Sequence, residues 1–108
     1  MIRAEVLGGV CGLVTMVEAD SPDGMNVELH IESACPQVQA MAAELIGLDA
    51  FEEILRRPLA ETTLARLAAK YKLHTSCLVP VGLLKVVEAA AGLALPSESW
   101  VKLTYGSV

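Results

Sequence analysis

Three cysteines and one histidine are the residues of this chain whose types and positions could do chemistry. Cys11 stands in Val10-Cys11-Gly12, Cys35 in Ala34-Cys35-Pro36, and Cys77 in His74-Thr75-Ser76-Cys77. Each falls where one predicted element gives way to the next. A thiolate is a ligand for soft and borderline metals and a nucleophile toward disulfides and persulfides. A histidine ring nitrogen can complete such a set, as it does at zinc and some iron sites. His74 is the candidate fourth ligand. An odd number of cysteines favours free thiols or metal ligands over a disulfide framework.

Plainer readings compete with this one. Free cysteine is among the most buried residue types, so each thiol could be a small core residue. His74 could be a surface residue beside a helix cap, and Thr75-Ser76 reads as the cap itself rather than a nucleophile pair. His30 alternates with acids on the polar face of a strand and is expected in solvent. The Gly8-Gly9 and Gly12 cluster lacks the lysine and the following helix of a phosphate loop. Neither a Ser-His-Asp arrangement nor a paired carboxylate site anchors hydrolase chemistry.

The elements must position these groups. Residues 2–7 alternate Ile2, Ala4 and Val6 against Arg3 and Glu5, the pattern of a strand. Residues 13–18 are rich in β-branched side chains and read as a second strand. Ser21-Pro22-Asp23-Gly24 is a turn. Residues 25–32 set Met25, Val27, Leu29 and Ile31 against Asn26, Glu28, His30 and Glu32, a strand with one face on a core. Pro36 opens a helix carrying Val38, Met41, Leu45 and Ile46, which Gly47 is expected to stop. Phe51, Ile54 and Leu55 form a short helix before Pro58, and Leu64, Leu67, Ala68 and Tyr71 form another. The last helix, around Leu83, Val86 and Val87, is apolar nearly all round and therefore buried on most sides. Ser76 is its expected cap, Pro80 falls in its first turn and Gly92 ends it. Residues 100–105 alternate weakly and are a candidate last strand. Strands followed by helices predict one α+β domain over residues 1–108. It comprises a three-stranded antiparallel sheet, a candidate fourth strand at the C-terminal end, and three to four helices on one face.

In a hairpin centred on Pro22-Asp23, paired residue numbers total about 45 or 46, which brings Cys11 near Cys35 across neighbouring strands. If the first and last helices run the same way along the sheet, Cys77 begins at that same rim. Two of the thiols then stand at helix N-termini, where negative charge is favoured.

Composition narrows the functional classes. The formal net charge is −5, and the only basic pair is Arg56-Arg57. Nucleic-acid binding needs a concentrated positive face, so it is not expected. At 54% hydrophobic residues the chain has ample core material, yet no run approaches the roughly 20 apolar residues of a membrane span. The start Met1-Ile2-Arg3-Ala4-Glu5 argues against a signal peptide, which makes a cytoplasmic location the expectation. The apolar excess allows a homodimer.

With these residues assembled, the pattern resembles the iron–sulfur cluster scaffold family of the IscU/NifU N-terminal type, in the broader fold shared with SufE. Members have three antiparallel strands followed by helices. One cysteine lies in an Ala-Cys-Gly loop before a strand, a second starts the helix after the third strand, and a third, beside a histidine, starts the last long helix. Val10-Cys11-Gly12, Ala34-Cys35 and His74 to Cys77 fit those three places. The resemblance implies that Cys11, Cys35 and Cys77 hold an iron–sulfur cluster or zinc. It implies that Cys77, in the family's sulfur-accepting place, receives sulfur from a cysteine desulfurase or another sulfur-transfer partner. The chain departs from the pattern at Leu13, where members carry an aspartate, and at Thr75 and Ser76, which separate His74 from Cys77. The expected function is therefore a small metal- or iron–sulfur-binding protein, a scaffold or carrier rather than a catalyst. Two alternatives stand beside it: a metal-free thiol sulfur-carrier or redox protein in which Cys11 and Cys35 form a reversible pair, and a partner-binding module whose cysteines are only core.

Overall fold

A computed structural model describes residues 1–106. Strands β1 (Ile2–Leu7), β2 (Val14–Asp20) and β3 (Asn26–Ser33) form an antiparallel sheet in that order, extended by a short β4 (Gly47–Asp49) on the far side of β3. Helix α1 (Pro36–Glu44) precedes β4; α2 (Thr63–Lys70) and α3 (Val79–Ala90) follow it. Between β4 and α2 lie a π-helical segment, Phe51–Arg56, and a 3-10 turn, Leu59–Glu61. The architecture is α+β, a sheet followed by helices.

The alternation in the strands explains which face is covered. Val6, Val17, Ala19, Val27 and Leu29 are buried, while Glu5, Glu18, Glu28, His30 and Glu32 stay exposed. Helix α3 covers β1 and β2, α1 covers β3, and α2 packs on α3. The core is completed by Val38, Met41 and Leu45 after the sheet, and by Leu64, Leu83 and Val87. Gly82 is the point of closest approach: a Cβ there would fall 2.7 Å from a Val6 methyl, so only glycine lets α3 lie this near β1.

Below the helices, Glu53 is 2% exposed and fully engaged. Its carboxylate accepts from the backbone N–H of Thr63 at 2.8 Å and of Leu64 at 3.0 Å, the open donors of the first turn of α2. Arg57 Nη1 donates to the same carboxylate at 3.0 Å and to Thr63 Oγ1 at 2.9 Å. Thr62 caps the helix by accepting from the Ala65 N–H.

Several expectations are corrected. The fourth strand is β4, not residues 100–105, which form no strand here and lie exposed. An alternating pattern becomes a strand only against a partner edge, and nothing among the described residues pairs with it. Gly47 does not stop α1. The helix ends at Glu44, and the Leu29 N–H donates to the Ile46 carbonyl at 3.0 Å, drawing the following residues onto the edge of β3. The hairpin register is shifted: Thr15 faces Ser33 and Val17 faces Ile31. The shift has a local cause. The Asp23 carboxylate accepts from the N–H groups of Met25 and Asn26, at 2.9 and 2.8 Å, and Gly24 takes φ 71°, which moves the centre of the turn toward Gly24. The same turn leaves Met25 42% exposed rather than in the core. Ser76 caps nothing in α3, whose N-cap is Leu78 without a side-chain bond. The Cys77 N–H closes a turn on His74 O at 3.0 Å, and the Leu78 N–H is taken by Gly8 O at 3.2 Å.

Candidate functional site

The loop from β1 to β2 carries Cys11. It is short and tightly tied: Gly8 N–H donates to Leu13 O at 3.0 Å, and Gly12 N–H to Gly9 O at 3.0 Å. Gly9 and Gly12 both take positive φ, the region where a side chain is strained. Because Gly8 O also receives the Leu78 N–H, this loop is fastened to the start of α3 and brings Cys11 toward Cys77. A Cβ on Gly8 would stand 3.2 Å from Cys11 Sγ and 3.7 Å from Cys77 Sγ. The two sulfurs therefore close on the same point, and they can be no farther apart than those two distances laid end to end.

Cys35 is the N-cap residue of α1. Its N–H donates to Ser33 Oγ at 3.1 Å, and that hydroxyl also receives Thr15 Oγ1 at 2.8 Å, so the residue is held by the ends of β2 and β3. Its thiol donates to Gln37 Oε1 at 3.2 Å. His74 reaches the site through a helix ending. Lys72 takes φ 56°, the Lys72 N–H donates to Ala69 O at 3.2 Å, and the Leu73 N–H donates to Ala68 O at 3.0 Å. That pair of bonds around a left-handed residue is a Schellman ending, and it turns the chain from α2 toward the start of α3.

These segments converge on one cavity of about 80 Å³, lined by Cys11, Cys35, His74 and Cys77 together with Gly8, Leu13, Thr15, Gln37, Val38, Leu73 and Val79. Cys35 and Cys77 are half-buried, and Cys11 and His74 are exposed. All three cysteines are free thiols. Pockets for organic ligands run to about 300–1,000 Å³; this one suits an ion or a few atoms. The four residues singled out in the sequence are thus brought together. Hairpin register is not what does it, because Cys11 lies in the loop rather than on a strand. Among the described residues, no group of three or more His, Cys, Asp or Glu side chains is gathered closely enough to hold a metal ion. In donor type the residues fit a soft or borderline metal; in spacing they stand back from it.

Sequence reasoning missed Gly8, whose bare α-carbon admits two sulfurs, and Gln37, which receives the Cys35 thiol. The Gly8-Gly9 pair beside a cysteine was a signal for the first; nothing marked the second. Other groups with displaced titration lie outside the cavity. Tyr71 and Lys70 donate to Glu44, which holds that carboxyl below its usual range and raises both partners.

Fold and site together define an α+β domain with a thiol-lined cavity at the meeting of its first loop and last helix. The chain belongs to DUF6951, a family of unknown function, whose match covers residues 2–103 and so takes in every cavity residue. No curated protein and no solved structure matches it. No helix among the described residues is long and apolar enough to cross a membrane.

Proposed function

We propose that this chain is a small metal- or iron–sulfur-binding protein with Cys11, Cys35 and Cys77 as thiolate ligands and His74 as the fourth. The observation that carries the reading is the convergence of three thiols and one imidazole, from three separate stretches of sequence, on one ion-sized cavity. The resemblance to the IscU/NifU scaffold type supports it. Cys11 precedes β2, Cys35 begins the helix after β3, and Cys77 precedes the last helix. Three of the four donors sit in loops or turns, where modest movement costs less than in a helix or strand. Thiolate ligands of one zinc stand about 4 Å apart, so binding would draw the loop of Cys11 and the turn of Cys77 together. A bound metal would supply Lewis acidity or, as a cluster, electrons and sulfide. On this reading the protein is cytoplasmic, and before metal is bound the Cys77 thiolate attacks the outer sulfur of a desulfurase's cysteine persulfide, becoming a persulfide and releasing the desulfurase's thiolate.

Anaerobic purification and reconstitution, followed by metal and acid-labile sulfide analysis, tests this directly. Stoichiometric zinc, or iron with sulfide, is expected in the parent chain, with loss in Cys11→Ser, Cys35→Ser and Cys77→Ser. A chain that stays metal-free, or in which Cys11→Ser leaves uptake unchanged, overturns the reading.

One observation favours a second reading, a metal-free thiol protein. The sulfurs of Cys11 and Cys77 meet at Gly8, which makes them, rather than Cys11 and Cys35, the pair to expect in a reversible disulfide. Peptide mapping after treatment with oxidised glutathione would identify the pair; recovery of only unmodified thiols would exclude it.

A further inference from the structure

The chain beyond α3 leaves its large apolar side chains uncovered. Leu95, Trp100, Val101, Leu103 and Tyr105 are between 68% and 106% exposed. Residues 100–105 nevertheless alternate as a strand does, with Val101, Leu103 and Tyr105 on one side and Trp100, Lys102 and Thr104 on the other. Strand β1 shows the complementary lack. It pairs with β2 on one side only, so its other edge offers a row of backbone donors and acceptors. It has six residues, the length of the alternating tail segment.

The surroundings of that edge match the tail. Leu78 and Val81, one turn apart at the start of α3, remain 39% and 44% exposed beside the end of β1. On the open face of β1 and β2, Glu18 pairs with Arg3 at 3.4 Å and Asp20 with the N-terminal amine at 3.5 Å, which leaves Glu5 as the carboxylate of that face without an ion pair among the described residues. A strand that turns Val101, Leu103 and Tyr105 toward the helices places Lys102 on the face that carries the unpaired Glu5.

Overall shape argues that the acceptor is a second molecule. The protein measures 50 × 28 × 25 Å. The longest strand has eight residues, and at about 3.4 Å per residue it spans roughly the two shorter dimensions, not the long one. Residues 100–105 are exposed and form no strand, so the tail does not lie paired on its own β1. We infer that residues 100–105 add as a strand to the free edge of β1 in a second copy of this chain, which returns its own tail, forming a two-fold exchanged dimer. A buried aromatic side chain removes about 150–250 Å² from water. Val101, Leu103 and Tyr105 from both tails, with the surface of β1, Leu78 and Val81 that they cover, bring the exchange to about the 1,200 Å² at the lower end of a stable interface. The inference is independent of metal binding.

Sedimentation equilibrium of the full chain at micromolar concentration, joined to hydrogen exchange, tests it. The expected mass is twice 11.4 kDa, with amides of β1 and of residues 100–105 protected together. Leu103→Pro removes a backbone donor from a segment outside the core; it should give a folded monomer, by circular dichroism, with both protections lost. Lys102→Glu should weaken the dimer about tenfold or more by setting acid against acid. A monomeric parent chain overturns the inference, as does a dimer that survives Leu103→Pro or one that leaves β1 unprotected. Protection that is independent of concentration would mean the tail covers its own β1, and would overturn it too.

Discussion

Glu53 and the cysteine cavity are both polar groups set among apolar side chains, and the chain treats them in opposite ways. Each Glu53 oxygen is engaged by the first turn of α2, and Arg57 adds its charge at 3.0 Å. Around the cavity, Cys35 alone among the four donors has a side-chain bond to another described residue, a single contact with Gln37. A buried carboxylate without partners would be too costly to keep, so Glu53 is held by what the fold needs. Exposed or half-buried thiols incur little such cost and can remain open. Bonding capacity used up inside the chain marks a structural group, and capacity left over marks a group available to a ligand.

The largest effect should come from breaking the closed cluster. Glu53→Ala is expected to lower stability by about 3 kcal/mol, since it strips the helix start and Arg57 of their acceptor. Urea denaturation measures this; a loss under about 1 kcal/mol would mean that the two clusters do not differ in kind. The open cluster should behave in the reverse way. Cys11→Ser ought to leave metal-free stability within about 0.5 kcal/mol of the parent, because the residue is exposed. Added metal should raise the parent's Tm and not the variant's, by about 2.7 kcal/mol of stabilisation at a hundredfold excess over Kd. Equal shifts in both would remove Cys11 from the site. Lys72→Gly sharpens the contrast from outside. It relieves a left-handed residue at φ 56° and should add about 0.5–1 kcal/mol while leaving metal uptake unchanged.

The smallest effect concerns pH. Hydrogen bonds from the Met25 N–H, the Asn26 side chain and the Asn26 N–H lower the Asp23 pKa from 3.8 to about 2. A depressed folded value means that its stabilising contribution is present above pH 3.8 and is lost as pH falls toward about 2. The Tm difference between the parent and Asp23→Asn should therefore be steady near neutrality and vanish in strong acid. Thermal melts across that window would show it, and a difference that persists undiminished would place the origin elsewhere.

Much of the fold was legible because its signals are local. Alternation in Ile2 to Val6 and in Val27 to Ile31, the proline opening α1, Pro80 in the first turn of α3 and Gly92 after it each act within a few residues. The remainder depended on partners distant in sequence. Gly47, Leu48 and Asp49 carry no strand signal of their own and become a strand only because β3 has a free edge. Nothing local in the sequence marks Glu53 as buried; its partners, the first-turn donors of α2, lie ten and eleven residues on. The rim of cysteines was foreseen, but through a register that the Asp23 turn displaces. What brings Cys11 to Cys77 is the bond from Leu78 to Gly8, and no spacing rule predicts it.

The contact between Val6 and Gly82 also bears on the order in which the molecule can form. The first strand is covered by the last helix, so the apolar side of β1 stays wet until nearly the whole chain is present. Pairing of such distant segments slows folding, because the cost of closing the intervening chain is met before the contact stabilises anything. The hairpin of β2 and β3 can assemble early from neighbouring residues, whereas burial of Val6, and with it the gathering of the cavity walls, belongs to the last step. On the function proposed above, ligand capture at this site would be a property of the finished fold, closed to partly folded chains.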